Sequence, residues 1–313
     1  HILSKVLPFT SQVFARAVVM SNTNPLIVTA EDALRYKQTI LSYDPDFNPI
    51  MSIMLTKETT PRMVARAHQA GVKVLKYIPA NTSYGAKGGI HLNSLIGYLP
   101  TLKKARDLDM IFSFHCELVL NQLYPKHREK AGLPYLEEMV KAVPGLKIVV
   151  EHVSTSEMIQ FITKAPSNIK ATITAHHLIL TEKDTKNPLS FCYPVAKTEK
   201  DRQAVIKAAT SGNPKFFFGS DSAPHLLIKK TRKNPLPGIF SAPIALPLVC
   251  SVFEEVKKLN RLNDFTSVFG AKAYNLPINS GTITLKKEKW TIPYSYEEIG
   301  IFKGNQELTW KIN

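Results

Sequence analysis

The chain has 313 residues, of which 44% are hydrophobic and 21% charged. That composition is globular, neither disordered nor fibrous, with room for one large core or two modest domains. No apolar run reaches membrane-spanning length, and the first residues lack the basic, apolar and small-residue regions of a signal peptide, so a cytoplasmic protein without a membrane partner is expected. Three cysteines, Cys116, Cys192 and Cys250, are odd in number and far apart, which excludes a disulfide framework and a Cys-x-x-Cys zinc site. Lys and Arg total 40 against 25 Asp and Glu, a net charge of +15. The lysines are scattered, and basic clusters such as residues 228–233 lack interleaved aromatics. The charge therefore reads as a solvated surface that helps to attract a small anionic substrate, with no nucleic-acid partner.

In chain order, short runs rich in Val, Ile and Phe predict seven strands: Phe14–Met20, Pro49–Leu55, Val72–Ile78, Met110–His115, Leu146–His152, Ala171–Thr174 and Lys215–Gly219. Helical segments fill the intervals. They are Ala30–Leu41 behind a Thr29 cap, Pro61–Ala70 closed by Gly71, Leu95–Leu108, Tyr135–Val143, Ser156–Lys164 and Lys200–Ser211 closed by Gly212. Another helix begins in Pro243–Leu259, and residues 278–313 read as a C-terminal appendage of short extended pieces. The alternation predicts an α/β fold, a (β/α)8 barrel forming one domain over residues 1–313. Seven strands do not close such a barrel, so a first strand is expected before Phe14, absent from this sequence.

Chemistry in parallel barrels sits at the C-terminal ends of the strands. There, His115 closes Ile111-Phe-Ser-Phe-His, His152 closes Ile148-Val-Val-Glu-His, and Asp221 follows Phe216-Phe-Phe-Gly-Ser. Lys76 lies within Val72-Lys-Val-Leu-Lys-Tyr-Ile. One strand-end histidine is more often structural, but two at successive strand ends with an aspartate at the last strand suit a zinc site. A lysine buried in an apolar strand disfavours its charge. It could add carbon dioxide to become an anionic carbamate; alternatively its amine snorkels to the barrel mouth or pairs with Asp221.

Lys76-Tyr-Ile-Pro-Ala-Asn81, His115-Cys-Glu117, Glu151-His-Val-Ser-Thr155, Ala171-Thr-Ile-Thr174 and above all Gly219-Ser-Asp-Ser-Ala-Pro-His225 resemble the dihydroorotase family of the amidohydrolase superfamily, in particular its compact bacterial type. The resemblance runs in order from Pro8 to about Pro277. It implies a cyclic amide hydrolase of pyrimidine biosynthesis that interconverts dihydroorotate and N-carbamoyl-aspartate. Two zinc ions would be bridged by a carbamate on Lys76, with His115 and His152 on one ion and Asp221 on the other. A metal-bridging hydroxide would attack the ring carbonyl while Asp221 shuttles the proton. Asn22 and His225 would hold the substrate carboxylate, and the backbone around Tyr193 and Ala242 would contact the ring. A homodimer is also implied.

The sequence departs from the family pattern at its start, where a first strand ending His-x-His and a following arginine are not found. His1 reads either as the second histidine of that pair or as a tag remnant. The stretches between Leu180 and Phe191 and after Glu298 are shorter than the family leads one to expect, which suggests omitted mobile segments. The glycine-rich stretch Asn81–Gly89 is the lid candidate, with Ser83 and Tyr84 in place of a threonine pair. Two other classes of function remain open: an inactive dihydroorotase-like structural partner of another pyrimidine-pathway enzyme, and another cyclic amidohydrolase such as a hydantoinase-like enzyme.

Overall fold

The computed structural model describes residues 2–80, 82 and 88–313. Seven parallel strands are present at the seven predicted runs: β1 (Arg16–Val19), β2 (Asn48–Met54), β3 (Val74–Tyr77), β4 (Ile111–Phe114), β5 (Lys147–Val150), β6 (Ile169–Ile173) and β7 (Phe216–Phe218). Within each unit the strand order is chain order, β1 to β5 in one and β6 beside β7 in the other. The protein divides into two compact units, residues 3–151 with 166–169, and residues 152–165 with 170–313.

In the first unit, β1 to β5 pair in parallel with matched registers: Met54 lies opposite Lys76, Lys76 opposite Ser113, and Ser113 opposite Val149. Parallel strands are covered on both faces, which is why β3 and β4 are buried throughout. Phe112, Phe114 and Tyr77 fill the centre with ring centroids 5.1 to 6.3 Å apart. The helix Ala30–Tyr43 begins in a reciprocal capping box between Thr29 and Asp32. Helix Pro61–Gln69 starts where the Thr60 hydroxyl accepts from the Met63 N–H.

Two predicted helices of this unit start well away from their expected first residues. The segment read as Leu95–Leu108 is a 3-10 turn over Leu92–Tyr98 followed by an α-helix over Leu99–Asp107, because Pro100 suits the start of an α-helix. The helix expected from Tyr135 runs instead over Arg128–Ala142, with Pro134 inside it. Pro134 forfeits one helical hydrogen bond, but the turn before it buries Gly132 and Glu129. A Cβ on Gly132 would lie 2.9 Å from Cys116 Sγ, so glycine here is required by close approach. Gly132→Val should lower stability by about 1–3 kcal/mol through overpacking, read as a reduced denaturation midpoint. An unchanged midpoint would show that Cys116 yields freely.

In the second unit, β6 and β7 pair with Ala171 opposite Phe216 and Ile173 opposite Phe218. Helix Ser156–Lys164 has the bounds that its Thr155 cap and apolar spacing predict. Lys215 closes its far end by donating Nζ–H to the carbonyls of Ile162 at 3.1 Å and Thr163 at 3.0 Å, where a cation also meets the negative pole of the helix. Helix Glu199–Ala209 opens with a Thr198–Asp201 capping box. The helix expected in residues 243–259 is a 3-10 turn at Ala242–Ile244 and an α-helix over Ala245–Glu255. The predicted C-terminal appendage contains β8 (Leu285–Thr291) antiparallel to β11 (Glu307–Ile312), and the short pair β9 (Ser295–Tyr296) and β10 (Ile299–Gly300). Trp310 Nε1–H donates to Glu254 Oε2 at 2.9 Å, tying the hairpin to the preceding helix. Among the described residues, no helix is long and apolar enough to cross a membrane.

Candidate active site

In the first unit, Lys76 sits on β3 with 3% of its surface exposed. Registered strands send paired residues to the same face and alternate along the chain, so Lys76, Ser113, His115 and Glu151 share one face. The Ser113 hydroxyl donates to Glu151 Oε1 on that face. His115 extends the ladder just beyond β4, donating its backbone N–H to the Tyr77 carbonyl at 3.1 Å. Its ring Nε2 lies 2.7 Å from Oε2 of the wholly buried Glu117. A carboxylate only accepts, so Nε2 carries the proton and Nδ1 keeps its lone pair. Metal-ligating imidazoles are oriented in this way by a carboxylate on the far nitrogen. Asn22 follows β1 and is half-buried.

In the second unit, His152 comes two residues after β5 and has φ 43°. Its backbone N–H donates to Thr172 Oγ1 at 2.7 Å, and the Val153 N–H donates to the Thr172 carbonyl at 3.1 Å. Thr172 also faces the end of β7, where a Cβ on Gly219 would fall 2.8 Å from Thr172 Cβ. Asp221 follows with φ 40°. Left-handed non-glycine residues cost of order 1–3 kcal/mol and cluster at functional sites. Two of the four ligand candidates carry that signature, His152 and Asp221.

The segment from Gly219 to His225 is laced to residues 237–242. The Ser241 hydroxyl donates to the Ser220 carbonyl at 3.2 Å, the Ala223 N–H to the Ile239 carbonyl at 2.9 Å, and the Ala242 N–H to Ser222 Oγ at 3.1 Å. Ala242 is buried and its N–H is thus engaged within the protein. His225 donates Nε2–H to the Pro237 carbonyl at 3.1 Å. Burial holds its pKa below 6.5, reinforced by the charge of Lys230 and opposed by the Pro237 bond.

Lys230, 3% exposed, donates to three carbonyls: Phe191 at 3.0 Å, Leu236 at 2.9 Å and Gly238 at 2.6 Å. Burial pulls its ammonium down to about 8. One cation therefore staples the stretch of chain carrying Tyr193 to the segment that holds His225. Lys230→Met keeps the aliphatic stem and removes the donors. We expect it to lower stability by about 3 kcal/mol or more, since each abandoned carbonyl costs about 1–3 kcal/mol. The check is a thermal melt, and a loss under about 0.5 kcal/mol, the range of ordinary surface substitutions, would show that the staple is idle.

The residues that sequence reasoning missed are Glu117, Thr172 and Lys230. Glu117 and Thr172 both stood within quoted motifs, but only Glu117 offered a local signal, two residues from His115; Thr172 and Lys230 act through distant parts of the chain. The lid candidate Asn81–Gly89 lies mostly outside the described residues, as do His1, Ser83 and Tyr84.

No family model matches the chain. A dihydroorotase from Sphingopyxis alaskensis is 36% identical over 319 residues, covering 99% of this chain and 93% of the relative. Among solved structures, dihydroorotase from Saccharomyces cerevisiae in complex with 5-fluoroorotic acid superposes with TM-score 0.91 at 30% identity, covering 99% of this chain and 92% of that one. Dihydroorotase from Campylobacter jejuni gives TM-score 0.90 at 31% identity, covering 100% and 92%.

Proposed function

The chain belongs to the dihydroorotase family of cyclic amide hydrolases, with their α/β barrel fold, and from that premise we propose that it interconverts dihydroorotate and N-carbamoyl-aspartate with two bound zinc ions. The proposed ligands are Lys76 as its carbamate, His115, His152 and Asp221. The observation that carries the metal reading is the His115 ring, whose Nε2–H donates to the Glu117 carboxylate so that Nδ1 presents its lone pair. The donor set fits zinc, since it combines imidazole nitrogens with carboxylate-type oxygens. Zinc held by these residues would supply a water of lowered proton affinity and a Lewis acid for the ring carbonyl.

The protein's own groups supply the rest. Asp221 accepts a proton from the attacking water and delivers it to the amide nitrogen as the ring opens. Asn22 and His225 hold the substrate carboxylate, and the backbone at Tyr193 and Ala242 lines the ring. The general positive charge favours capture of the anion. We read the protein as a cytoplasmic enzyme of pyrimidine synthesis, dimeric by family resemblance.

His225 gives this reading a thermodynamic signature. Its neutral ring already commits the Nε2 proton to Pro237, so gripping an anion calls for a second proton on the imidazole. A bound carboxylate raises the His225 pKa, so binding takes up a proton at pH 7 and weakens as pH rises. Calorimetry of a substrate-analogue carboxylate in buffers of different ionisation enthalpy reads the uptake directly. Equal enthalpies in all buffers would remove His225 from the carboxylate site.

The function is tested by a ring-opening assay on dihydroorotate alongside hydantoin and dihydrouracil, with zinc counted in the same preparation. Hydrolysis of dihydroorotate alone supports the reading. Preference for the uncharged rings would make the protein a different cyclic amidohydrolase, and no turnover with zinc bound would make it a structural relative.

A further inference from the structure

Distinct from the ligands proposed above, His176, His177 and Cys192 each bring one donor atom to within 4.8 Å of the others, and all three are buried. The two histidines are consecutive in the short helix Ala175–Ile179 that follows β6. Cys192 joins them through Pro194, whose carbonyl accepts from His177 Nε2–H at 3.0 Å and from the Cys192 thiol at 3.4 Å.

His176 is the observation that asks for an occupant. Its surface is wholly buried, and neither ring nitrogen has a hydrogen-bond partner among the described residues. A neutral imidazole always has one N–H and one lone pair, and unsatisfied buried polar atoms are rare enough to require a reason. Its ring contacts among the described residues are the tilted His177 ring and the Phe302 ring in a T-shaped arrangement, with centroids 4.6 and 6.3 Å away, and neither offers a nitrogen or oxygen partner to a His176 nitrogen within hydrogen-bond distance.

His177 is already set as a ligating imidazole. The Pro194 carbonyl can only accept, so Nε2 holds the proton and Nδ1 is the lone-pair nitrogen, now receiving the Thr174 hydroxyl at 2.9 Å. A backbone carbonyl on the far nitrogen is the usual orienting partner of a metal-bound histidine.

We propose that His176, His177 and Cys192 form a second, buried site for a thiophilic closed-shell cation, zinc(II) or copper(I). Two imidazoles and a thiolate suit both ions. Binding deprotonates Cys192 and releases that proton to solvent, the Thr174 hydroxyl lets go of Nδ1, and no electron is transferred. The role of the ion is structural, since it fastens the helix after β6 to the segment that carries Tyr193.

The test uses the full chain and a signal that the ligands Lys76, His115, His152 and Asp221 cannot give, because they include no sulfur. Cobalt(II) added to the chelator-treated protein should produce a near-ultraviolet thiolate-to-metal charge-transfer band. Cys116→Ser should keep that band, and Cys192→Ser and His176→Gln should lose it. Absence of the band in folded wild type, or its survival in Cys192→Ser, overturns the site. Should those variants fail to fold, X-ray absorption of the protein as purified decides without mutation. A sulfur scatterer at the zinc edge assigns zinc, one at the copper edge assigns copper, and sulfur at neither edge overturns the proposal.

Discussion

Asp221→Asn should leave a folded protein that binds zinc and turns over dihydroorotate about a hundredfold to ten-thousandfold more slowly, the usual worth of a general acid–base group. Asparagine preserves shape and one oxygen donor but cannot take up a proton and return it. It is also the replacement that the backbone tolerates. Asp221 has φ 40°, and asparagine enters the left-handed region as readily as aspartate, whereas alanine would add strain and confuse the result. The measurement is the ring-opening rate beside a thermal melt and a metal count. Undiminished turnover would remove Asp221 from the proton path; a collapsed melt would instead show that its carboxylate holds the turn.

Lys76→Ala should release at least one of the two proposed zinc ions and abolish activity, with partial recovery on adding short carboxylic acids. Lys76 is 3% exposed and stands in register between Met54 and Ser113. Truncation therefore frees buried space beside Ser113, where the carboxylate of a small acid should replace the carbamate. Carbamate formation joins the lysine nitrogen to carbon dioxide and sheds one proton, so the wild-type protein should also lose activity when bicarbonate and carbon dioxide are removed during metal loading. Retention of two zinc ions by Lys76→Ala without any added acid would defeat the carbamate. Rescue by acetate but not by chloride at equal ionic strength would separate ligation from general salt effects.

The frame of the protein was readable because β2, β3 and β4 are buried on both faces, and double burial forces continuous apolar runs such as Ile111-Phe-Ser-Phe. Local chemistry was equally readable where it is self-contained: Thr155 fixes the start of the helix over Ser156–Lys164 whatever lies beyond it. The helix expected from Tyr135 starts earlier, at Arg128, because its first turns pack on Cys116 and carry the helix through Pro134, which only tertiary contacts could show. The short helix Ala175–Ile179 went unread because five residues give no periodicity. At the candidate site, strand-end residues could be named from position alone. Their supports could not, since Lys230 matters only by meeting carbonyls at 191, 236 and 238.

Thr172 has a consequence for how this protein can change. Its hydroxyl receives the His152 N–H, and its Cβ occupies the space that any side chain at position 219 would need. The dependence runs one way. A larger residue at 219 displaces the threonine and takes with it the backbone anchor of His152, so position 219 cannot drift alone, whereas serine at 172 keeps the hydroxyl and leaves glycine in place. Combinatorial libraries that vary both positions should return glycine at 219 with threonine or serine at 172, while enlarged variants at 219 should surface together with glycine at 172 and a new partner for that N–H.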